Sequence, residues 1–104
     1  MSETNDAIYR NPNRSVAERT ADLLARLTLD EKLAQLSCVW ASELMTDARV
    51  DDARAAEALK HGTGQITRTA TAAIIGPREN AVINNAIQRL LLERTRLGIP
   101  ALIH

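Results

Sequence analysis

The stretch Thr95-Arg96-Leu97-Gly98-Ile99-Pro100-Ala101-Leu102-Ile103-His104 decides the fold class. Gly98 closes a helical pattern, and Ile99 to Ile103 is then a near-continuous apolar run of strand length. A run that is apolar at successive positions reads as a strand buried on both faces, as strands of parallel sheets are. Such a strand needs neighbours to pair its backbone. It is a poor place for a domain to stop, so partners are expected beyond His104. The chain therefore reads as the front end of a larger α/β protein.

Working outward from that strand, the next element back is a long helix. Gly76-Pro77 starts it, because proline is preorganised for the first helical position, and Glu79 favours the positive end of the dipole. Val82, Ile83, Ala86, Ile87, Leu90 and Leu91 form its expected buried face. Thr69 to Ile75 reads as a loop of small residues, and Gly64 to Arg68 as a short strand. Strand, helix and strand make one β-α-β unit over 62–104, expected to be parallel with a right-handed crossover.

Residues 15–61 read as N-terminal helices. Ser15-Val16-Ala17-Glu18 is a capping box, and its helix carries Val16, Thr20, Leu23, Leu24 and Leu27 on one face. Thr28-Leu29-Asp30-Glu31 is a second box, whose helix should bury Leu29, Leu33 and Leu36. Two boxes so close imply two helices meeting at a corner near Thr28. Ser37 to Trp40 is either a strand or the frayed end of the second helix. Asp47 to Val50 reads as a loop. Asp51 or Asp52 then caps a helix through Leu59, with Lys60 and His61 in its last turn and Gly62 as a left-handed stop. Residues 1–14 are a polar lead with turn chemistry around Tyr9 and Pro12.

Composition excludes several function classes. Lys plus Arg number 13 and Asp plus Glu number 13, so the chain lacks the basic footprint of a nucleic-acid binder. One Trp, one Tyr and no Phe leave few platforms for stacking bases. A single cysteine, Cys38, rules out an intrachain disulfide, and its apolar surroundings predict a buried, inert thiol. No apolar run approaches the roughly 18 residues of a membrane span. The polar, acidic first residues are unlike a signal peptide, so a cytoplasmic protein is the default expectation.

No self-sufficient catalytic constellation is visible: there is no phosphate-binding glycine loop and no His and Cys cluster with metal spacing, and no cofactor is expected. Glu18, Glu31 and the Asp51-Asp52 pair are explained as caps, His61 as a dipole complement, and Glu43 is unassigned. Arg68 and His104 stand apart. Ligands of α/β barrels and open sheets bind at the C-terminal ends of the parallel strands. Strand 64–68 ends on Arg68 and strand 99–103 delivers His104. The crossover between them is about 30 residues, the size of a standard β-α-β unit. If the strands are adjacent, both side chains arrive at one mouth. The plainer alternatives are a surface ion pair for Arg68 and a supporting hydrogen bond for His104.

Several stretches together resemble the start of a glycoside hydrolase family 3 enzyme of the β-glucosidase and β-xylosidase type. They are Tyr9 to Pro12, Val16 to Arg19 with Asp22 to Leu24, Leu27 to Lys32 with Ala34 to Leu36, Val39-Trp40, Glu43-Leu44, Gly62 to Arg68, Asn85 to Arg89 and Glu93 to Pro100. The resemblance implies a (β/α)8 TIM barrel of which this chain is an incomplete start, lead helices plus one β-α-β unit. It implies a retaining exo-β-glycosidase acting on β-glucosides or β-xylosides, with an aspartate nucleophile and a glutamate acid/base that both lie outside the chain. This segment alone is then expected to be inactive, with Arg68 and His104 as substrate-binding residues and no nucleic acid or membrane as partner. One departure is the segment Thr69 to Gly76, where similar enzymes carry a Gly, Ser and Asn-rich loop. A free-standing helical interaction module is the alternative reading, and an unpaired apolar strand at 99–103 argues against it.

Overall fold

The computed structural model describes residues 6–70 and 75–104. They form a mixed α/β structure with four α-helices and a small parallel sheet. The helices are α1 (Val16–Arg26), α2 (Leu29–Gln35), α3 (Asp52–Ala58) and α4 (Pro77–Arg94). The strands are β1 (Cys38–Trp40), β2 (Met45–Thr46), β3 (Arg49–Val50), β4 (Gln65–Thr67) and β5 (Leu102–Ile103). Short 3-10 turns occupy Ile8–Arg10 and Ala41–Leu44.

The local signals do their expected work. Ser15 and Thr28 each accept from a backbone N–H three residues on, and Glu18 and Glu31 reach back to complete both boxes. Asp51, rather than Asp52, caps α3, accepting from the Arg54 N–H at 3.1 Å. Pro77 opens α4 behind Gly76. Gly62 and Gly98 both adopt positive φ. At Gly98 a Cβ would come within 2.9 Å of the Leu92 carbonyl oxygen and 2.8 Å of Arg10 Nη2.

The main sheet runs in the order β1-β4-β5, with both pairs parallel. Cys38–Trp40 is therefore a strand, and the structure holds two successive β-α-β units where the sequence pattern predicts one. Three residues carry too little periodicity to separate a strand from a fraying helix end. The expected loop at 47–50 is half of a hairpin, Met45 opposite Val50 and Thr46 opposite Arg49. Its two turn residues, Asp47 and Ala48, have φ of 53° and 62°, the geometry of a type I′ turn without its usual glycine. Helix α3 ends at Ala58, so Lys60 and His61 follow the helix rather than closing it.

The core lies on one side of the sheet. Ile66 is completely buried, with Val39 and Ile103 beside it, against Ile83, Ile87, Leu90 and Leu91 of α4 and Ala55 and Leu59 around α3. The opposite face carries Cys38, Trp40, Gln65, Leu102 and His104, all exposed. This corrects the reading of 99–103 as a strand buried on both sides. The paired strand is only Leu102–Ile103, and Leu102 is 72% exposed. Cys38 is likewise exposed rather than buried. Ala101, just before β5, hands its backbone to a side chain instead. Its N–H donates to Gln88 Oε1 at 3.0 Å and its carbonyl accepts from Gln88 Nε2 at 2.7 Å.

The first two helices also differ from expectation. On α1, Leu23 and Leu27 are half-buried against Ala7, Tyr9 and Leu97, while Val16, Thr20 and Leu24 are exposed. On α2 the whole predicted face, Leu29, Leu33 and Leu36, lies open. The periodicity is real, but the described residues do not cover it.

The polar lead is more ordered than its composition suggests. Tyr9 is buried, and its hydroxyl donates to the Leu97 carbonyl at 2.9 Å, joined there by Arg10 Nη2. A second tie joins the helical corner to the same region. Arg96 reaches the Glu31 carboxylate through Nη2 and Nε and donates to the Arg26 carbonyl at 2.7 Å. The Arg96 hydrogen bond, with those from Thr28, holds the Glu31 carboxyl below its ordinary pKa despite burial.

A folded-state pKa below the unfolded one contributes stability above the unfolded value, about 4.3 for glutamate, and loses it as pH falls through the lowered value. Glu31→Gln is expected to cost about 1 kcal/mol at pH 7, since half-exposed Arg96 screens the pair, and progressively less as the pH is lowered to about 2. Urea midpoints of both proteins at the two pH values check this. A gap that persists in acid would mean the ion pair is not the cause.

Candidate functional site

The C-terminal ends of β1, β4 and β5 converge on one rim. The ladder between the last two continues past the strands: the His104 N–H donates to the Ile66 carbonyl, and the Arg68 N–H to the His104 carbonyl, both at 3.0 Å. Arg68 and His104 therefore follow neighbouring parallel strands, and their backbones are bonded to each other. Their side chains part from there. His104 Nε2 lies 3.0 Å from Gln65 Oε1, so its ring leans back along β4 on the open face. The Arg68 guanidinium carbon lies 4.8 Å from the centre of the Trp40 ring, on the β1 side.

Backbone geometry explains where Arg68 goes. Side chains alternate across a strand, so Gln65 and Thr67 share the open face and Ile66 turns to the helices. Continued alternation would send Arg68 to the helix side. Its φ of +64° breaks the alternation and brings the guanidinium over an indole of the open face.

Trp40, the last residue of β1, is a member of this rim that the reading of strand ends missed, and Gln65, at the start of β4, lies beside the His104 ring on the open face. Trp40 was legible as the chain's single tryptophan at the end of a short apolar run. Gln65 follows from counting two residues back from Thr67. Glu43, which the sequence leaves unassigned, accepts from the Trp40 N–H at 3.3 Å. Thr69, next after Arg68, is buried. Half of the unusual 69–76 segment, residues 71–74, lies outside the described residues. Among the described residues no three His, Cys, Asp or Glu side chains gather to hold a metal ion, and no helix is long and apolar enough to cross a membrane.

Three parallel strands backed by helices on one face define a mixed α/β protein. Comparison with known proteins gives the relationship more closely. No family model matches the chain. It is 33% identical over 120 residues to the probable β-glucosidase C of Aspergillus oryzae, covering 99% of this chain and 17% of that protein. It is 33% identical over 99 residues to the β-glucosidase C of Emericella nidulans, covering 92% of this chain and 15% of that one. A putative β-xylosidase of Formosa agariphila is 31% identical over 99 residues, 90% of this chain and 13% of the relative. The resemblance to glycoside hydrolases of the β-glucosidase and β-xylosidase type is thus shown along nearly the whole chain, which spans 13–17% of the length of these relatives.

Proposed function

We propose that this chain is the N-terminal part of a glycoside hydrolase family 3 enzyme, a retaining exo-β-glycosidase acting on β-glucosides or β-xylosides. In this reading β1, β4 and β5 are the opening strands of a (β/α)8 barrel whose remaining strands would cover the open sheet face. Arg68 and His104 bind the sugar at the barrel mouth. The observation that carries the reading is the bonded pair of strand ends, which brings the backbones of Arg68 and His104 together at one rim in a chain similar to β-glucosidases. The exposed Leu102 on the open sheet face supports it too, since parallel sheets are ordinarily covered on both sides.

The chemistry of such enzymes needs two carboxylates about 5–5.5 Å apart, one attacking the anomeric carbon and one protonating the leaving oxygen. Glu18 and Glu31 are engaged in capping boxes, Asp51 in the α3 cap, and Glu43 with the Trp40 N–H. In this reading, as the family resemblance implies, both reacting groups come from outside residues 1–104. The purified chain is expected to release no nitrophenol from aryl β-glucosides or β-xylosides. In a chain extended to supply both carboxylates, Arg68→Ala is expected to lower kcat/KM about 10- to 100-fold by deleting a charged donor. Turnover by residues 1–104 alone would overturn the first expectation, and unchanged kinetics in the Arg68 variant the second.

A further inference from the structure

We propose that the cavity between the Tyr9 segment, α1 and the approach to β5 binds a small oxyanion of the phosphate class. Ile99 and Pro100 precede β5, so the cavity lies at the opposite end of that strand from His104. The proposal is independent of the reading of the rim as a sugar site.

The cavity has a volume of about 340 Å³, and Tyr9, Arg10, Arg19, Leu23, Ile99 and Pro100 line it. Its charge is one-sided. Arg10 and Arg19 are both partly buried, and no carboxylate among the described residues joins them in the lining. The ion pairs among the described residues belong to Arg14, Arg26, Lys60 and Arg96 instead. Asp22, on the same helix as Arg19, is taken by the Tyr9 N–H at 3.0 Å and by Arg26 Nε at 3.1 Å. Charges drawn out of bulk water are ordinarily matched by a partner, because desolvating them alone is costly. Two such cations lining one hollow mark a place where a bound anion would be that partner.

Both guanidiniums are held in place before any ligand arrives. Arg19 donates through Nε to the Tyr9 carbonyl at 3.0 Å. Arg10 donates through Nε to the Tyr9 hydroxyl at 3.1 Å and through Nη2 to the Leu97 carbonyl at 2.9 Å. Arg10 Nη1 and both Arg19 Nη groups are left without a hydrogen-bond partner among the described residues. An arginine already fixed in this way loses less freedom when it binds. Phosphate carries a charge of about −1.5 to −2 at neutral pH and several acceptor oxygens, which suits two arginines better than a singly charged carboxylate does. The apolar walls of Leu23, Ile99 and Pro100 lower the local dielectric and strengthen the attraction.

NMR on the 104-residue chain tests this, with inorganic phosphate titrated at constant ionic strength and acetate as the singly charged control. The Gly98 and Ile99 amides and the Nε–H resonances of Arg10 and Arg19 should move saturably with phosphate, and acetate should bind more weakly. Arg19→Gln should weaken phosphate about tenfold, the worth of a hydrogen bond to a charged group, while Arg49→Gln, a charge removed on the distant hairpin, should leave it unchanged. Glucose 6-phosphate separates two sources of the same chemistry. Tighter binding than inorganic phosphate would assign a phosphorylated metabolite, and weaker binding the free ion. Unsaturable shifts, shifts spread over the surface arginines, acetate binding as tightly as phosphate, or equal affinity in Arg19→Gln and wild type would overturn the proposal. Should Arg19→Gln lose its helical circular dichroism, chemical modification of the wild-type chain decides. Phosphate should protect Arg10 and Arg19 from phenylglyoxal, read by mass spectrometry, and equal modification with and without phosphate would overturn the proposal.

Discussion

Gly64→Ala is expected to unfold the parallel sheet or shift its first pair apart. A Cβ at this position would lie 2.0 Å from the Gln35 carbonyl oxygen and 2.9 Å from its carbonyl carbon. Both are backbone atoms at the end of α2, so no side chain can swing aside. The glycine is also tied there: its N–H donates to the Ala34 carbonyl at 3.0 Å, and its carbonyl accepts from the Leu102 N–H at 3.0 Å. Relief of the clash must therefore break at least one of these bonds or lift β4 from β1. The cost should reach ~3 kcal/mol or more, beyond ordinary overpacking because rigid backbone is involved. A domain of this size has little stability to spare. Denaturant midpoints followed by circular dichroism would measure it, and a midpoint equal to wild type would mean that the α2–β4 approach is looser than described.

Gln88→Leu should have the next largest effect. The Gln88 amide imitates a neighbouring strand, accepting from the Ala101 N–H and donating to the Ala101 carbonyl. Leucine has a similar size and leaves both groups without partners next to a buried residue. An unsatisfied buried backbone group costs about 1–3 kcal/mol, so a loss of about 2–4 kcal/mol is expected for the two. Hydrogen exchange offers a residue-level check. The Ala101 amide should lose protection in the variant while the Ile87 and Leu91 amides, inside α4, follow only the global stability. Retained protection at Ala101 would show that another protein group takes over its amide.

Legibility in the sequence followed the range of the interactions. Ser15, Thr28, Pro77 and, to within one residue, the Asp51 cap were readable because a cap is decided within four residues, and Gly62 and Gly98 because positive φ selects glycine. The β4-α4-β5 order was readable because α4 has a long apolar period and strands flank it. Strand β1 was not, because Cys38–Trp40 is shorter than any period and becomes a strand only by pairing with Gln65–Thr67. The hairpin was hidden because Asp47 and Ala48 take left-handed angles without the glycine that would signal them. Leu29, Leu33 and Leu36 announced a buried face correctly in pattern, but burial depends on a partner surface that no helix pattern contains. At the rim, Arg68 and His104 were legible from strand order. The direction of the Arg68 side chain was not, since alternation predicts the opposite face.

The clasp between Tyr9 and Leu97 has a consequence for biosynthesis. Its two halves are separated by 88 residues of chain, so on the ribosome the leading segment emerges long before its acceptor exists. Helices α1 and α2 can flicker into shape early, because their capping boxes are local. Helix α2 can be tied down once Gly64 is made, but the Tyr9 end beside α1 acquires no fixed seat until Leu97 and the turn at Gly98 have been translated. Residues made early are thus among the last to be locked in place, and for that interval the leucines of α1 and α2 are the surface a nascent-chain chaperone would meet.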